Sequence, residues 1–136
     1  MIVQTTREII DEIKPVRTFF AIESLPWCYP DSVSSYLDLI NAIDRKSLAV
    51  NLDPVNMINS PSKYFNNTDL IKECFEKLGH YIKNCHAKDI KLRDAFTVHF
   101  DHVTLGTGGG DFKTYLTYLS KLQDIPLIME HMKTSE

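Results

Sequence analysis

The stretch SLAVNLD, residues 47–53, carries the pattern that decides the fold of this chain. Its apolar residues follow one another without the regular polar alternation of a half-exposed strand, which predicts a strand covered on both faces. Three other stretches have the same character, namely VRTFFAIE (16–23), YIKNCHAKDI (81–90) and IPLIMEH (125–131). The sequence therefore predicts four buried strands.

Segments with helical spacing of apolar residues alternate with these strands. They are TTREIIDEIK (5–14), PDSVSSYLDLINAID (30–44), TDLIKECFEKLG (68–79) and DFKTYLTYLSKLQ (111–123). Strands that are joined through helices can run parallel, because each connection is long enough to cross over the sheet. We therefore predict the α/β class, with a parallel sheet and helices on its outside.

Composition narrows the class of protein. A chain of 136 residues with 43% hydrophobic content suits a single domain with its own core. The net charge of −3 gives no broad attraction for nucleic acid or anionic lipid.

Cys28, Cys74 and Cys85 form neither an even set nor a CxxC pair, which favours a reducing cytoplasm over a disulfide framework. Without a signal peptide or an apolar run of ~18 residues, we expect a soluble cytoplasmic protein.

Two stretches, residues 54–67 and 91–110, show no regular pattern, and each follows the carboxyl end of a predicted strand. Long irregular connections inside a compact domain are usually functional, so we predict loops or lids on the ligand side of the sheet. The second stretch contains His99 and His102, which we interpret as a solvated pair, with an added metal ligand as the alternative.

The run GTGGGD, residues 106–111, lacks the lysine and serine or threonine that end a phosphate-binding P-loop. We predict instead that Gly108–Gly110 form a flexible turn into a helix that Asp111 caps.

One acidic or imidazole side chain stands at or near the end of every predicted strand: Glu23, Asp53, His86 and Glu130. In an α/β barrel, polar residues at the carboxyl ends of several strands converge over one mouth. Three carboxylates in one cavity repel each other unless a cation compensates them. Oxygen ligands with one imidazole suit Mn²⁺ or Mg²⁺, while the nitrogen also permits Co²⁺ or Zn²⁺. We predict a divalent metal site.

Each of these residues also has a structural interpretation. His86 could be a hydrogen-bonded core histidine, Glu23 and Asp53 could cap the helices that follow them, and Glu130 could pair with a lysine. Core packing gives no reason for a charge at every strand end, and this coincidence favours the site.

Several segments resemble one family of enzymes. They are FAIESLPWCYPDS (20–32), LAVNLDPVNMINSP (48–61), CHAKDI (85–90), GTGGGDFKTYL (106–116) and PLIMEH (126–131). In this order and spacing they resemble the sugar phosphate isomerase/epimerase group of the xylose isomerase-like TIM barrels, relatives of the D-tagatose and D-psicose 3-epimerases. The resemblance covers nearly the whole chain, from about residue 19 to residue 131.

The resemblance implies a parallel-stranded (β/α) barrel of TIM type, of which residues 1–136 hold only about four of the eight β/α units. The chain would then be the C-terminal half of such a barrel and a fragment of a longer product. Its partner would be the missing N-terminal half-barrel or another copy of itself, because two strand edges would otherwise stay unpaired.

The resemblance also implies metal ligation by Glu23, Asp53, His86 and Glu130. Glu23 and Glu130 would in addition exchange protons with the substrate from opposite faces, so that an enediolate forms and collapses. The expected activity is that of a sugar or sugar phosphate isomerase or epimerase.

Substrate contacts are expected from Trp27, Asn56 and Lys88. The alternatives are that Trp27 closes the barrel rim and that Lys88 is only solvated. Asn56 stands where the ketose epimerases have a histidine, and Leu92, followed by Arg93, stands where they have an arginine. These departures leave the identity of the sugar open.

Two alternatives remain. An endonuclease IV-type metal hydrolase has a similar barrel, but its several zinc ions require more histidines at strand ends than this chain offers. The chain could also be a non-catalytic fragment or an assembly module.

Overall fold

The computed structural model describes residues 1–131, in which helices and strands alternate around a parallel sheet. In chain order the elements are α1 (Ile2–Ile13), β1 (Phe20–Glu23), α2 (Val33–Ile43), β2 (Leu48–Leu52), a 3₁₀ helix (Pro54–Met57), α3 (Pro61–Phe65), α4 (Asn67–Leu78), β3 (Ile82–Ala87), β4 (Asp89–Leu92), β5 (Phe100–Val103), α5 (Phe112–Leu119) and β6 (Leu127–Met129). Within this range, no helix combines the length and the apolar character that crossing a membrane requires.

The four predicted strands form one sheet in the order β1–β2–β3–β6, and every neighbouring pair is parallel. All five residues of β2, including the polar Asn51, are buried, as its largely apolar sequence predicted. The predicted α/β class and the partial barrel are confirmed. Because the strands run in one direction, their carboxyl ends lie together at one edge of the sheet.

A single large apolar cluster joins the sheet to α2, α4 and α5. Its buried members are Val33, Tyr36, Val50, Leu52, Met57, Ile71, Cys74, Phe75, Leu78, Ile82, Cys85, Ala87 and Tyr115. Two tyrosines of this cluster also fix strands by hydrogen bonds: Tyr36 Oη donates to Ile22 O at 3.0 Å, and Tyr115 Oη donates to His86 O at 2.8 Å. The helices therefore hold the strand ends in fixed positions.

The third predicted strand is shorter than its sequence suggested. It ends at Ala87, and the residues from Asp89 onward form β4, which pairs antiparallel with β5 in a separate two-stranded sheet. An ion pair between Arg93 and Asp101 joins the two strands of this hairpin. The prediction that residues 91–110 lack regular structure is therefore wrong for this part.

Residues 54–67 are also more ordered than predicted. Asp53 begins the 3₁₀ helix, because its Oδ1 accepts hydrogen bonds from the N–H groups of Val55 at 3.0 Å and Asn56 at 3.4 Å. Ser60 caps α3 by accepting from the N–H of Lys63 at 3.3 Å. Side-chain caps of this kind satisfy helix N-termini, and here they order a connection that has no apolar periodicity.

The glycine run forms the predicted turn before α5, and hydrogen bonds tie this turn to a buried side chain. The buried carboxylate of Asp89 accepts hydrogen bonds from the N–H groups of Gly106 at 3.0 Å, Gly108 at 2.8 Å and Gly110 at 3.1 Å. A Cβ atom on Gly108 would lie 2.4 Å from both Asp89 Oδ1 and Ile90 O. The glycines are needed here because the backbone approaches a buried acidic side chain closely.

The predicted cap of α5 is confirmed and generates a test. Asp111 Oδ1 accepts from the N–H of Thr114 at 3.0 Å, and Oδ2 accepts from the hydroxyls of Thr114 and Thr68, each at 2.6 Å. These hydrogen bonds, those of Thr114 foremost, lower the pKa of Asp111 to about 2. Replacing Asp111→Ala should lower the free energy of unfolding at neutral pH by about 1–2 kcal/mol.

The pH dependence of that loss follows from the pKa. Because the folded-state pKa lies below the ordinary value of 3.8, the carboxylate stabilises the fold above about pH 4, and this contribution disappears as the pH falls toward about 2. Urea unfolding across this range should show the wild type and Asp111→Ala converging. Asp69→Ala, an exposed acidic residue of α4, serves as the control and should change little. A difference that does not depend on pH would contradict the assigned role.

Candidate metal centre

The four residues predicted at strand ends meet at the carboxyl edge of the sheet. Glu23 is the last residue of β1, Asp53 follows β2, His86 lies in β3, and Glu130 follows β6. One potential ligand atom from each of the four lies within 4.8 Å of all the others. The parallel sheet thus brings together three carboxylates and one imidazole that are far apart in the sequence.

His86 stands between the two glutamates. Its Nδ1 lies 3.3 Å from Glu23 Oε1 and 3.0 Å from Glu130 Oε1. The imidazole is largely buried, with 11% of its side-chain surface exposed, while the two glutamates are about a quarter exposed, at 27% and 29%. The cluster is therefore enclosed on the sheet side and open toward the ends of the strands.

Lys88 supplies positive charge to the cluster. Its Nζ lies 2.8 Å from Asp53 Oδ2 and 3.1 Å from Glu130 Oε2, and the residue is only 5% exposed. Burial alone would lower the pKa of the Lys88 ammonium, but the ion pairs with Asp53 and Glu130 outweigh it and raise this pKa. From the sequence, Lys88 is expected to contact the substrate. In the structure, its ammonium pairs with two carboxylates of the cluster instead.

The same ammonium acts differently on the two carboxylates. Burial raises the pKa of Asp53, which is fully buried, and Lys88 offsets only part of this effect. Burial also works to raise the pKa of Glu130, but the hydrogen bond and charge of Lys88 outweigh it and hold this pKa below its ordinary value. Glu130 is therefore a carboxylate at neutral pH.

The donor set of the cluster fits a cation. Asp53 Oδ1 accepts hydrogen bonds from two backbone N–H groups, and Asp53 Oδ2 faces the Lys88 ammonium at 2.8 Å. Because this oxygen lies beside two further carboxylates and an imidazole, the donor set suits a divalent ion.

Two asparagines hold Glu23, and one of them was not predicted. Asn51 Nδ2 donates to Glu23 Oε2 at 3.0 Å, and Asn56 Nδ2 donates to Glu23 Oε1 at 2.8 Å. Asn56 was expected to contact the substrate. A signal for Asn51 was present in the sequence, because it is the polar residue inside an apolar run and lies two positions before Asp53, on the same face of the strand.

A cavity of about 690 Å³ opens beside the cluster. Trp27, Asn56 and Lys88, the three predicted substrate residues, all line it, together with His102 and His131. Trp27 is 80% exposed, which places its indole ring at the rim of the cavity. The two residues that touch the acidic cluster, Asn56 and Lys88, connect it to this space.

The histidines and the arginine in and near the hairpin make further contacts. The rings of His102 and His131 stack with centroids 4.2 Å apart, and His131 Nε2 also lies 3.8 Å from Glu130 Oε2. His99 Nε2 lies 3.5 Å from Asp101 Oδ1. Arg93 also pairs with Asp101. Within residues 1–131, the only group of three or more acidic, histidine or cysteine side chains with metal-binding spacing is the cluster of four, so the alternative of His99 or His102 as a further ligand is not supported.

Comparison with known proteins places this architecture in a family. Residues 1–135 match the model of the xylose isomerase-like TIM barrels. The chain belongs to the xylose isomerase-like TIM barrel family. A comparison of this xylose isomerase-like chain with curated protein sequences gave no match.

Solved structures with the same fold include a xylose isomerase domain protein from Planctomyces limnophilus, with 24% identity, a TM-score of 0.73, and coverage of 95% of this chain and 45% of the other. A probable 3-DHS dehydratase, AsbF, from Bacillus anthracis has 18% identity, a TM-score of 0.76, and coverage of 98% and 50%. The IOLI protein with a bound zinc atom has 21% identity, a TM-score of 0.68, and coverage of 93% and 45%. The xylose isomerase-like chain thus spans about half the length of the structures it matches.

The ion pairs of Lys88 generate a test of the cluster's electrostatics. Replacing Lys88→Met should lower the free energy of unfolding by about 3 kcal/mol, because a buried Asp53 and a partly buried Glu130 lose their cation. Lys91→Met is the matched control, since Lys91 is exposed in the same hairpin, and it should change stability by less than about 0.5 kcal/mol. Equal denaturation midpoints for the two variants would show that Lys88 does not compensate the carboxylates.

Proposed function

We propose that this chain provides the metal-binding and proton-transferring part of an isomerase or epimerase that acts on a sugar or sugar phosphate. The observation that carries the proposal is the convergence of Glu23, Asp53, His86 and Glu130 within 4.8 Å at the carboxyl ends of four parallel strands. Family membership supports the same class, because the matched fold includes a xylose isomerase domain protein.

These four residues would hold a divalent ion, with Mn²⁺ as the first choice and Mg²⁺, Co²⁺ or Zn²⁺ as alternatives. A bound ion would act as a Lewis acid toward the carbonyl and neighbouring hydroxyl of a ketose. The IOLI structure, which shares this fold, contains a zinc atom, in line with metal binding here.

Glu23 and Glu130 are the residues that we assign to proton transfer. One would remove the carbon-bound proton, which gives an enediolate, and the other would return a proton to the neighbouring carbon or to the opposite face. Asn51 and Asn56 orient Glu23, and Lys88 orients Glu130 and keeps it ionised.

The cavity beside the cluster would receive the sugar. Trp27 at its rim offers an apolar ring surface to the C–H face of a sugar, and Asn56 offers an amide to a hydroxyl. We now assign Lys88 to positioning Asp53 and Glu130 rather than to direct substrate binding, because both contacts of its ammonium are with these carboxylates.

We further propose that the chain is one domain that corresponds to the C-terminal half of a barrel. β1 and β6 are the outer strands of the sheet, and all three residues of β6 are exposed, with Ile128 at 48% and Met129 at 60%. A missing N-terminal half-barrel, or a second copy, would cover these edges. Unpaired thiols at Cys28, Cys74 and Cys85 support a cytoplasmic location.

Metal binding is the first test. Calorimetric titration with Mn²⁺ should show one strong site, and anomalous scattering from Mn²⁺-soaked crystals should place the ion among Glu23, Asp53, His86 and Glu130. His86→Ala should weaken binding by more than about tenfold. The matched control is His80→Ala, at an exposed histidine after α4, which should bind like the wild type. An ion elsewhere, or equal affinities for the two variants, would refute the site.

Proton transfer is the second test. A panel of ketoses and ketose phosphates is incubated with the protein in D₂O. NMR should show that at least one of them exchanges a carbon-bound proton for deuterium. Glu130→Gln should slow this exchange by about 10²–10⁴-fold, since the amide cannot accept the proton. Glu12→Gln, at an exposed position in α1, is the control, and circular dichroism checks that both variants are folded.

The same assay separates the enzyme from its alternative. It should be run on the 136-residue chain and on a longer polypeptide that completes the barrel. Exchange by the longer form alone would make this chain a module that needs its other half. Exchange that persists in Glu130→Gln would remove Glu130 from the mechanism.

A further inference from the structure

A row of polar side chains crosses three neighbouring strands at one level of the sheet. The register pairs Glu23 of β1 with Asn51 of β2, and Asn51 with Asn84 of β3. Asn84 Nδ2 donates to Asn51 Oδ1 at 2.8 Å, and Asn51 Nδ2 donates to Glu23 Oε2 at 3.0 Å. The row ends at His86, because Asn51 Nδ2 also lies 3.1 Å from His86 Nε2.

The orientation of the Asn51 amide fixes the position of the proton on His86. An amide nitrogen is a donor only, so the neighbouring His86 Nε2 must accept. A neutral His86 then carries its proton on Nδ1, the nitrogen that faces Glu23 Oε1 and Glu130 Oε1. In this arrangement, a proton points into the space between the two glutamates.

Metal ligation needs the opposite arrangement. The nitrogen that faces the carboxylates must present a lone pair, so the proton has to move to Nε2, and the N–H formed there requires an acceptor. Asn51 is already in contact with Nε2, and rotation of its amide by about 180° would present Oδ1 in place of Nδ2.

Asn84 has to turn together with Asn51. Its Oδ1 is buried and has no hydrogen-bond partner among residues 1–131, which is unusual for a buried amide oxygen. If both amides turn, Asn51 Nδ2 donates to Asn84 Oδ1, and Asn84 Nδ2 moves to the position that Oδ1 leaves. Glu23 Oε2 then loses its hydrogen bond from Asn51, and the attraction of a nearby cation would offset the loss of this bond.

We propose that Asn51 and Asn84 form an amide pair that sets the tautomer of His86 and reverses when a cation binds. One orientation places a proton between the glutamates, and the other leaves Nδ1 ready to bind metal. Both asparagines are positioning residues, because they act through His86 and Glu23. The part of this proposal that concerns the cation rests on the proposed function, whereas the control of the tautomer does not.

The test uses long-range ¹H–¹⁵N NMR of the imidazole, which distinguishes the two neutral tautomers and the charged form. In mildly alkaline buffer without metal, wild-type His86 should carry its proton on Nδ1. Asn84→Asp offers only acceptor oxygens to Asn51, which favours the rotated amide, so His86 should carry its proton on Nε2 even without metal. Asn84→Leu, the matched neutral variant, should keep the wild-type tautomer, because Asn51 still donates to Glu23.

Zn²⁺ alone is the probe for the second arm, since it is diamagnetic. Adding it to the wild type should move the His86 proton to Nε2 and shift the side-chain NH₂ signals of Asn51 and Asn84 together. The wild-type titration needs no variant, so the proposal stays testable even if Asn84→Asp fails to fold.

The two arms separate the failure of this proposal from that of the proposed function. A proton on Nε2 in the metal-free wild type, or on Nδ1 in folded Asn84→Asp, would overturn the amide pair. Binding of Zn²⁺ with no change in the His86 tautomer would overturn its reversal. If Zn²⁺ does not bind but the Asn84 variants move the proton as expected, the metal site fails and the amide pair stands.

Discussion

Electrostatic repulsion among three carboxylates is the constraint on which the rest of this structure depends. A parallel sheet places the ends of its strands side by side, so acidic residues at those ends are forced together however far apart they lie in the chain. Lys88, which lies between Asp53 and Glu130, compensates the charge of these two carboxylates. Two amide groups donate hydrogen bonds to the carboxylate of Glu23. The carboxylates are thereby held close together at the ends of the strands.

Much of the fold could be predicted because its signals are local. A largely apolar run such as residues 48–52 predicts a buried strand, and the polar residue directly after it then lies at the strand end. The break after Ala87 could not be predicted in this way. The chain is extended on both sides of the break, and what distinguishes the two strands is the pairing of β4 with β5, a contact between segments about ten residues apart.

The candidate site shows the same division between local and long-range signals. Position along the strands was enough to find the four clustered residues, but not to find what Lys88 and Asn51 do, since their partners lie on other strands. A structural role, such as capping a helix or pairing with a lysine, also does not prevent a residue from belonging to the cluster. Asp53 caps the 3₁₀ helix with one oxygen and faces the cluster with the other, and Glu130 pairs with a lysine while it contacts His86.

All four clustered side chains come from strands that are adjacent in one sheet, so the register of those strands sets the spacing of the charged groups. The residues that line the neighbouring cavity lie mostly in the connections after the strands, such as Trp27 and His99. Substitutions in these connections can therefore reshape the cavity while the sheet preserves the distances within the cluster.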